Sequence, residues 1–160
     1  MPPVHTPILG SATLHWTDES GCTDYARRLA TSPALRDALI ELEGPLGAGK
    51  TTFVRHLLRA LGETGRVRSP TYAVLEPYRI GDLEVSHLDF YRFGDAREWE
   101  DTGLREVFGR PGLKLVEWPR QAGTLLPGAD LRLRLEPLDD VSRRVTVEAC
   151  SAAGLELLRA

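Results

Sequence analysis

Gly44-Pro-Leu-Gly-Ala-Gly-Lys50-Thr51 is the stretch on which the fold turns. Two glycines bracket four residues and a Lys-Thr pair follows, the pattern of a phosphate-binding P-loop. Its flanks fit. Asp37-Ala-Leu-Ile-Glu-Leu-Glu43 reads as an apolar strand, and Phe53, Val54, Leu57, Leu58 and Leu61 recur at helical spacing until Gly62 stops them. The glycines let the backbone wrap closely around an anion, with N–H groups and the helix N-terminus facing it. The expected nucleotide contacts are Gly44, Leu46, Gly47, Ala48, Gly49, Lys50, Thr51 and Thr52. Lys50 is expected to reach the β- and γ-phosphates of a nucleotide, and the Thr51 hydroxyl to ligate Mg2+.

A P-loop also needs a carboxylate from a neighbouring strand to hold the metal or its water. Two candidates exist. Glu117 ends Leu113-Lys-Leu-Val-Glu117, an apolar strand with an acid at the edge where open α/β sheets bind ligands. Asp89 follows His87-Leu88 in a less apolar strand. Other residues weigh less. Ser69-Pro-Thr-Tyr72 reads as a turn where P-loop proteins place a nucleotide-sensing segment. Trp118 reads as a core anchor before contact surface, and His87 as structural before catalytic. Arg79, Arg92 and Arg97 read as solvated, with a phosphate contact by one of them as the alternative, and spacing names none of them as an arginine finger.

Further out, Ser11 to Trp16 predicts a short strand, and Thr23 to Ala30 a helix opened by the Asp-Glu-Ser cluster at 18–20. Thr71 to Ile80 and Leu83 to Tyr91 predict an antiparallel hairpin about Gly81-Asp82. One polar helix is expected over Asp95 to Phe108, and two half-exposed strands around Leu131–Leu135 and Val145–Val147. The fold class is α/β: a P-loop three-layer fold with a central mixed sheet, parallel in part and antiparallel at the hairpin.

Length and composition agree. At 160 residues the chain reads as one domain, 1–160, with about 1–10 and 151–160 expected to be loosely ordered. Hydrophobic residues are 42% and charged residues 27%, a globular balance, and no apolar run is long enough for a membrane helix. The N-terminus Met-Pro-Pro-Val-His-Thr-Pro lacks a signal-peptide pattern, and Cys22 and Cys150 read as buried thiols of a cytosolic protein. A net charge of −3 argues against an independent nucleic-acid patch. Only Lys50 and Lys114 among the 20 basic residues are lysines. A compact ammonium fits between phosphate oxygens where a planar guanidinium does not, so Lys50 resists replacement; Lys114 meets no such demand.

Four stretches together resemble one family. Glu43-Gly-Pro-Leu-Gly-Ala-Gly-Lys-Thr-Thr-Phe53, Ser69-Pro-Thr-Tyr72, His87-Leu-Asp-Phe-Tyr-Arg92 and Leu115-Val-Glu-Trp-Pro119 stand in the order and spacing of TsaE (YjeE). That family is the bacterial ATPase of tRNA threonylcarbamoyladenosine synthesis, and the resemblance spans about residues 12 to 149. It implies a cytoplasmic protein that binds ATP and Mg2+ and acts with TsaB and TsaD. That complex modifies adenosine 37 of tRNAs reading codons that begin with A, so tRNA is met indirectly and no membrane is involved. The resemblance also implies that ATP binding and hydrolysis reset or remodel the complex between turnovers.

Position by position, the resemblance makes Lys50 the P-loop lysine, Thr51 the Mg2+-ligating threonine and Glu117 the second metal-site residue. Asp89 resembles the acid that approaches the nucleotide or its water, and Thr71 the switch-segment threonine. Arg143 or Arg144 stands where an arginine near the adenine is expected. The N-terminal nucleotide contact, near Ser20 to Thr23, is a loose match. Pro45 replaces a common acid at a position that does not normally donate to phosphate.

The resulting expectation is a weak, partner-dependent ATP hydrolase working by positioning and electrostatics. A small-molecule kinase with the same loop is the alternative, although no lid segment is evident in the sequence. A nucleotide-gated binding module with incidental hydrolysis is a second.

Overall fold

The computed structural model describes residues 7–94 and 96–160. The N-terminal motif at residues 1–6 and the expected helix start at Asp95 lie outside the described residues. Seven strands form one sheet in the order β1-β7-β6-β2-β5-β4-β3. They are β1 Gly10–Trp16, β2 Leu39–Glu43, β3 Leu75–Ile80, β4 Leu83–Asp89, β5 Leu113–Glu117, β6 Leu131–Pro137 and β7 Arg143–Ala149. In the centre β6, β2, β5 and β4 run parallel, while β7, β1 and β3 are antiparallel additions at the flanks. The sheet is mixed, as the hairpin implied.

Helices α1 (Glu19–Ala30), α2 (Lys50–Leu61) and α5 (Ala152–Leu158) cover one face. The apolar stripe of α2, with Phe53, Val54, Leu57 and Leu58 fully buried, packs there on Ile40, Leu42, Leu113, Leu115 and Leu133. Gly62 ends the helix in the left-handed region, its N–H on the Leu58 and Arg59 carbonyls. Trp16 stacks on Phe53 and tilts against Tyr25, at 6.4 and 5.9 Å between ring centroids, which fixes β1 to both helices.

The opposite face is divided. Over β4 and β5 lies a second core of Phe90, Phe93, Trp99, Leu104 and Val116, roofed by α3 (Ala96–Asp101) and α4 (Leu104–Gly109). Across β2, β6 and β7 charges tile this face of the sheet. Arg132 reaches Glu41 (3.4 Å) and Glu148 (3.7 Å); Arg134 reaches Glu43 (3.3 Å) and Glu148 (3.6 Å).

Several expected boundaries move. The single helix over 95–108 is two, because Gly103 is left-handed (φ 69°) and restarts the chain as α4. Its inner side is apolar, with Trp99, Leu104 and Val107 buried. The extended segment 71–80 begins only at Leu75; residues 71–73 form a turn, and Val74 has φ 68°. Residues 151–160 are not loose. Ser151 caps α5 by accepting the Gly154 N–H, Leu157 is buried, and a Cβ on Gly154 would stand 1.9 Å from the Asp130 carbonyl oxygen. Lys114 does meet a demand: it donates to the Arg110 and Gly112 carbonyls, while Asp37 accepts the Gly112 N–H at 2.9 Å, closing the turn before β5.

Candidate nucleotide-binding site

The glycine loop leaves the C-terminal end of β2, the side of a parallel sheet where ligands bind. Gly44 (φ 151°), Gly47 (78°) and Gly49 (106°) take backbone conformations that side chains disfavour. At Gly44 closeness adds to conformation, because a Cβ would meet the Leu135 carbonyl oxygen at 2.6 Å. The Ala48 N–H turns inward to the Pro45 carbonyl (3.0 Å), while Leu46 stands at the crest, 67% exposed.

Beneath the loop five of the expected side chains converge. Thr51, in the first turn of α2, donates its hydroxyl to Glu117, 3.1 and 3.0 Å from the two carboxylate oxygens. Glu117 ends β5 and Asp89 ends β4, and parallel pairing sets them side by side. Asp89 accepts the Tyr91 N–H at 2.8 Å and the Thr71 hydroxyl at 3.3 Å, which draws the 71–74 turn to the rim. The Lys50 ammonium donates to the Gly44 and Pro45 carbonyls and lies 3.9 Å from the Trp118 ring centroid. Burial lowers its pKa, opposed by the charges of Glu117 and Asp89.

Trp118 has a role the sequence did not disclose. It sits at φ 56°, ψ 52°, a conformation that costs a non-glycine residue about 1–3 kcal/mol. Its ring packs on Tyr91 at 5.0 Å and, half-buried against the second core, also covers the lysine. The β-strand alternation offered no sign of this, because the residue lies just past the strand. His87 is fully buried, with Nε2 2.6 Å from a Glu117 oxygen. The sequence reading of a structural histidine missed that partner, although His87 and Asp89 share a face of one strand.

Beside the loop opens a cleft of about 250 Å³, lined by Trp16, Asp18, Glu19, Cys22, Ala48, Gly49, Thr52, Asp140, Val141 and Arg143. The two arginines of the Arg-Arg repeat part company. Arg143 donates to the Ala48 carbonyl (2.8 Å) and the Gly47 carbonyl (3.3 Å), whereas Arg144 pairs with Glu136 at 3.4 Å. From the N-terminal segment Asp18, Glu19 and Cys22 reach the cleft; Thr23 instead meets His56 on α2 at 3.3 Å. Burial pushes the Cys22 thiol up to about 12, which makes it a packing group. Arg92 stacks on the exposed Tyr72 ring, 4.4 Å from its centroid.

The donor set suits a nucleotide and a hard divalent ion. The loop offers glycine backbone and an ammonium; Thr51 and Glu117 offer oxygens, and Mg2+ takes one or two such ligands while keeping waters. Among the described residues no three His, Cys, Asp or Glu side chains group into a metal cage.

Asp89 carries a pH-dependent cost. Burial raises its carboxyl pKa above the ordinary value; the Tyr91 N–H opposes this and the charge of Glu117 adds to it. A carboxyl raised on folding contributes stability at acid pH and loses it as pH rises through the folded pKa. Asp89→Asn keeps an acceptor for Tyr91 and an amide for the Thr71 oxygen. Without nucleotide, the variant should therefore melt higher than wild type at neutral pH. Differential scanning fluorimetry across pH should show that advantage shrinking toward acid pH.

Residues 16–145 match the family described as Threonylcarbamoyl adenosine biosynthesis protein TsaE. The tRNA threonylcarbamoyladenosine biosynthesis protein TsaE of Haemophilus influenzae is 36% identical over 122 residues, covering 76% of this chain and 77% of that protein. The protein of the same name from Bacillus subtilis is 40% identical over 127 residues, 79% of each chain. The crystal structure of Bacillus subtilis YdiB superposes with a TM-score of 0.76 at 28% identity, covering 94% of this chain and 93% of that one.

Proposed function

The chain belongs to the TsaE family of threonylcarbamoyl adenosine biosynthesis proteins, and we propose that it serves that tRNA modification as a slow, Mg2+-dependent ATPase. The observation that carries this reading is the Thr51 hydroxyl on the Glu117 carboxylate directly beneath a glycine P-loop. Lys50 binds the phosphates once it exchanges the Gly44 and Pro45 carbonyls for phosphate oxygens. Thr51 and Glu117 would hold the Mg2+, which when bound supplies charge neutralisation at the transferring phosphate. Asp89 and Thr71 form the rim that meets the nucleotide or its water, and the cleft along Trp16 and Arg143 takes the nucleoside.

Slow turnover follows from the arginines. Arg143 is committed to loop carbonyls and Arg92 to Tyr72, so neither is placed as a finger. A partner completes the site, and TsaB with TsaD is the proposed one; tRNA is reached through that complex. No described helix is long and apolar enough to cross a membrane, and the proposed setting is the cytoplasm.

The test couples two measurements on the purified chain: phosphate release from ATP without any acceptor, and capture of TsaB and TsaD with and without ATP. Release without acceptor together with nucleotide-sensitive capture supports the proposal. Strict dependence of release on a small alcohol would make the chain a kinase, and failure to capture either protein would remove the partners.

A further inference from the structure

Glu117 is held from two sides. Thr51 approaches from the loop, and His87 approaches from β4 with Nε2 2.6 Å from Oε2. A carboxylate offers only acceptors, so Nε2 carries the hydrogen and donates. Both side chains are sealed in, His87 at 0% and Glu117 at 2% exposure. Among the described residues the other ring nitrogen, Nδ1, has no partner. The imidazole therefore serves no wider polar network; its one hydrogen-bonded partner is the Glu117 carboxylate.

The strand pattern shows how unusual this is. The inward face of β4 reads Leu83, Val85, His87, Asp89, and that of β5 reads Leu113, Leu115, Glu117. An aliphatic residue at 87 would continue the core and leave no bare nitrogen. Without the histidine, however, Glu117 would keep only the Thr51 hydroxyl, with the attractive Lys50 ammonium nearby. A flexible glutamate between those two has more than one place to point.

We propose that His87 is a positioning residue: its Nε2–H fixes the Glu117 carboxylate on the Thr51 side, so that the pair is preformed for a divalent ion. This rests on the reading of Thr51 and Glu117 as the Mg2+ site. Outer partners of metal-ligating carboxylates act in this way, and losing one weakens metal binding about 10–100-fold.

The experiment measures ATP affinity by calorimetry across a Mg2+ titration and in EDTA, for wild type, His87→Leu, His87→Gln and His87→Asn. The Gln amide nitrogen can reach the Nε2 position, whereas the Asn amide stops near Nδ1. The concentration of Mg2+ giving half its effect on affinity should rise about tenfold in His87→Leu and His87→Asn. It should return to within about threefold of wild type in His87→Gln, and affinity in EDTA should be the same for all four. In His87→Leu/Glu117→Gln the loss should equal that of Glu117→Gln alone, because the histidine acts only through the carboxylate. If His87→Leu does not fold, the Gln and Asn pair decides. A Mg2+ requirement unchanged in the variants, or equal in Gln and Asn, overturns the proposal while leaving the ATPase reading standing. A wild type whose ATP affinity ignores Mg2+ overturns both.

Discussion

Glu117→Gln should lower the rate of ATP hydrolysis by roughly 10²-fold, the scale on which a preorganised charge at a reacting centre acts, while the protein stays folded. The substitution is close to isosteric. The amide can keep one acceptor for Thr51 or His87, but it offers a nitrogen where both neighbours now find oxygens, 2.6 Å from His87 and 3.0 and 3.1 Å from Thr51. It also removes the negative charge that a divalent ion would meet beside Thr51. ATP affinity in EDTA should be nearly unchanged, because loop and ammonium are untouched. Phosphate-release kinetics with parallel calorimetry separates the effects. A full rate in a folded variant would remove Glu117 from the metal site and leave Asp89, its neighbour in register, as the remaining strand-end acid.

Lys50→Ala is the second large effect. Hydrogen bonds from a charged donor contribute about 1.5–3 kcal/mol each, and losing one at the phosphates should reduce kcat/KM roughly 10–100-fold. Lys50→Arg should not rescue it. The ammonium reaches the Gly44 and Pro45 carbonyls inside its own loop, and a compact ammonium fits between phosphate oxygens where a planar guanidinium does not. Steady-state kinetics and ATP titration of both variants check this. Unchanged affinity and rate in Lys50→Ala would overturn the assignment of the loop.

The centre of the molecule was the legible part. Strand, glycine loop and helix over 37–62 carry their signals locally: an apolar run, backbone freedom at fixed positions, and a stripe ending in a left-handed glycine. The two acids at strand ends were visible for the same reason, since alternation and position give an edge residue its direction. Trp118 and His87 were not. Trp118 acts through a backbone conformation that no tryptophan advertises, and His87 acts through a contact across two strands 30 residues apart. Lys114 was misjudged because its partners are carbonyls, to which side-chain patterns are blind. The capped last helix was likewise decided by packing, against Asp130.

The cleft beside the loop has a consequence in time. One wall comes from residues 16–22, the floor from the glycine loop, and the other wall from Asp140, Val141 and Arg143, with Arg143 reaching back 95 residues to Ala48. A chain emerging from the ribosome exposes its glycine loop early, while the far wall is still being translated. If the cleft takes the nucleoside as proposed, its grip is completed only in a nearly finished polypeptide, and a product stopped short of β7 would carry the motif with one wall of the cleft missing.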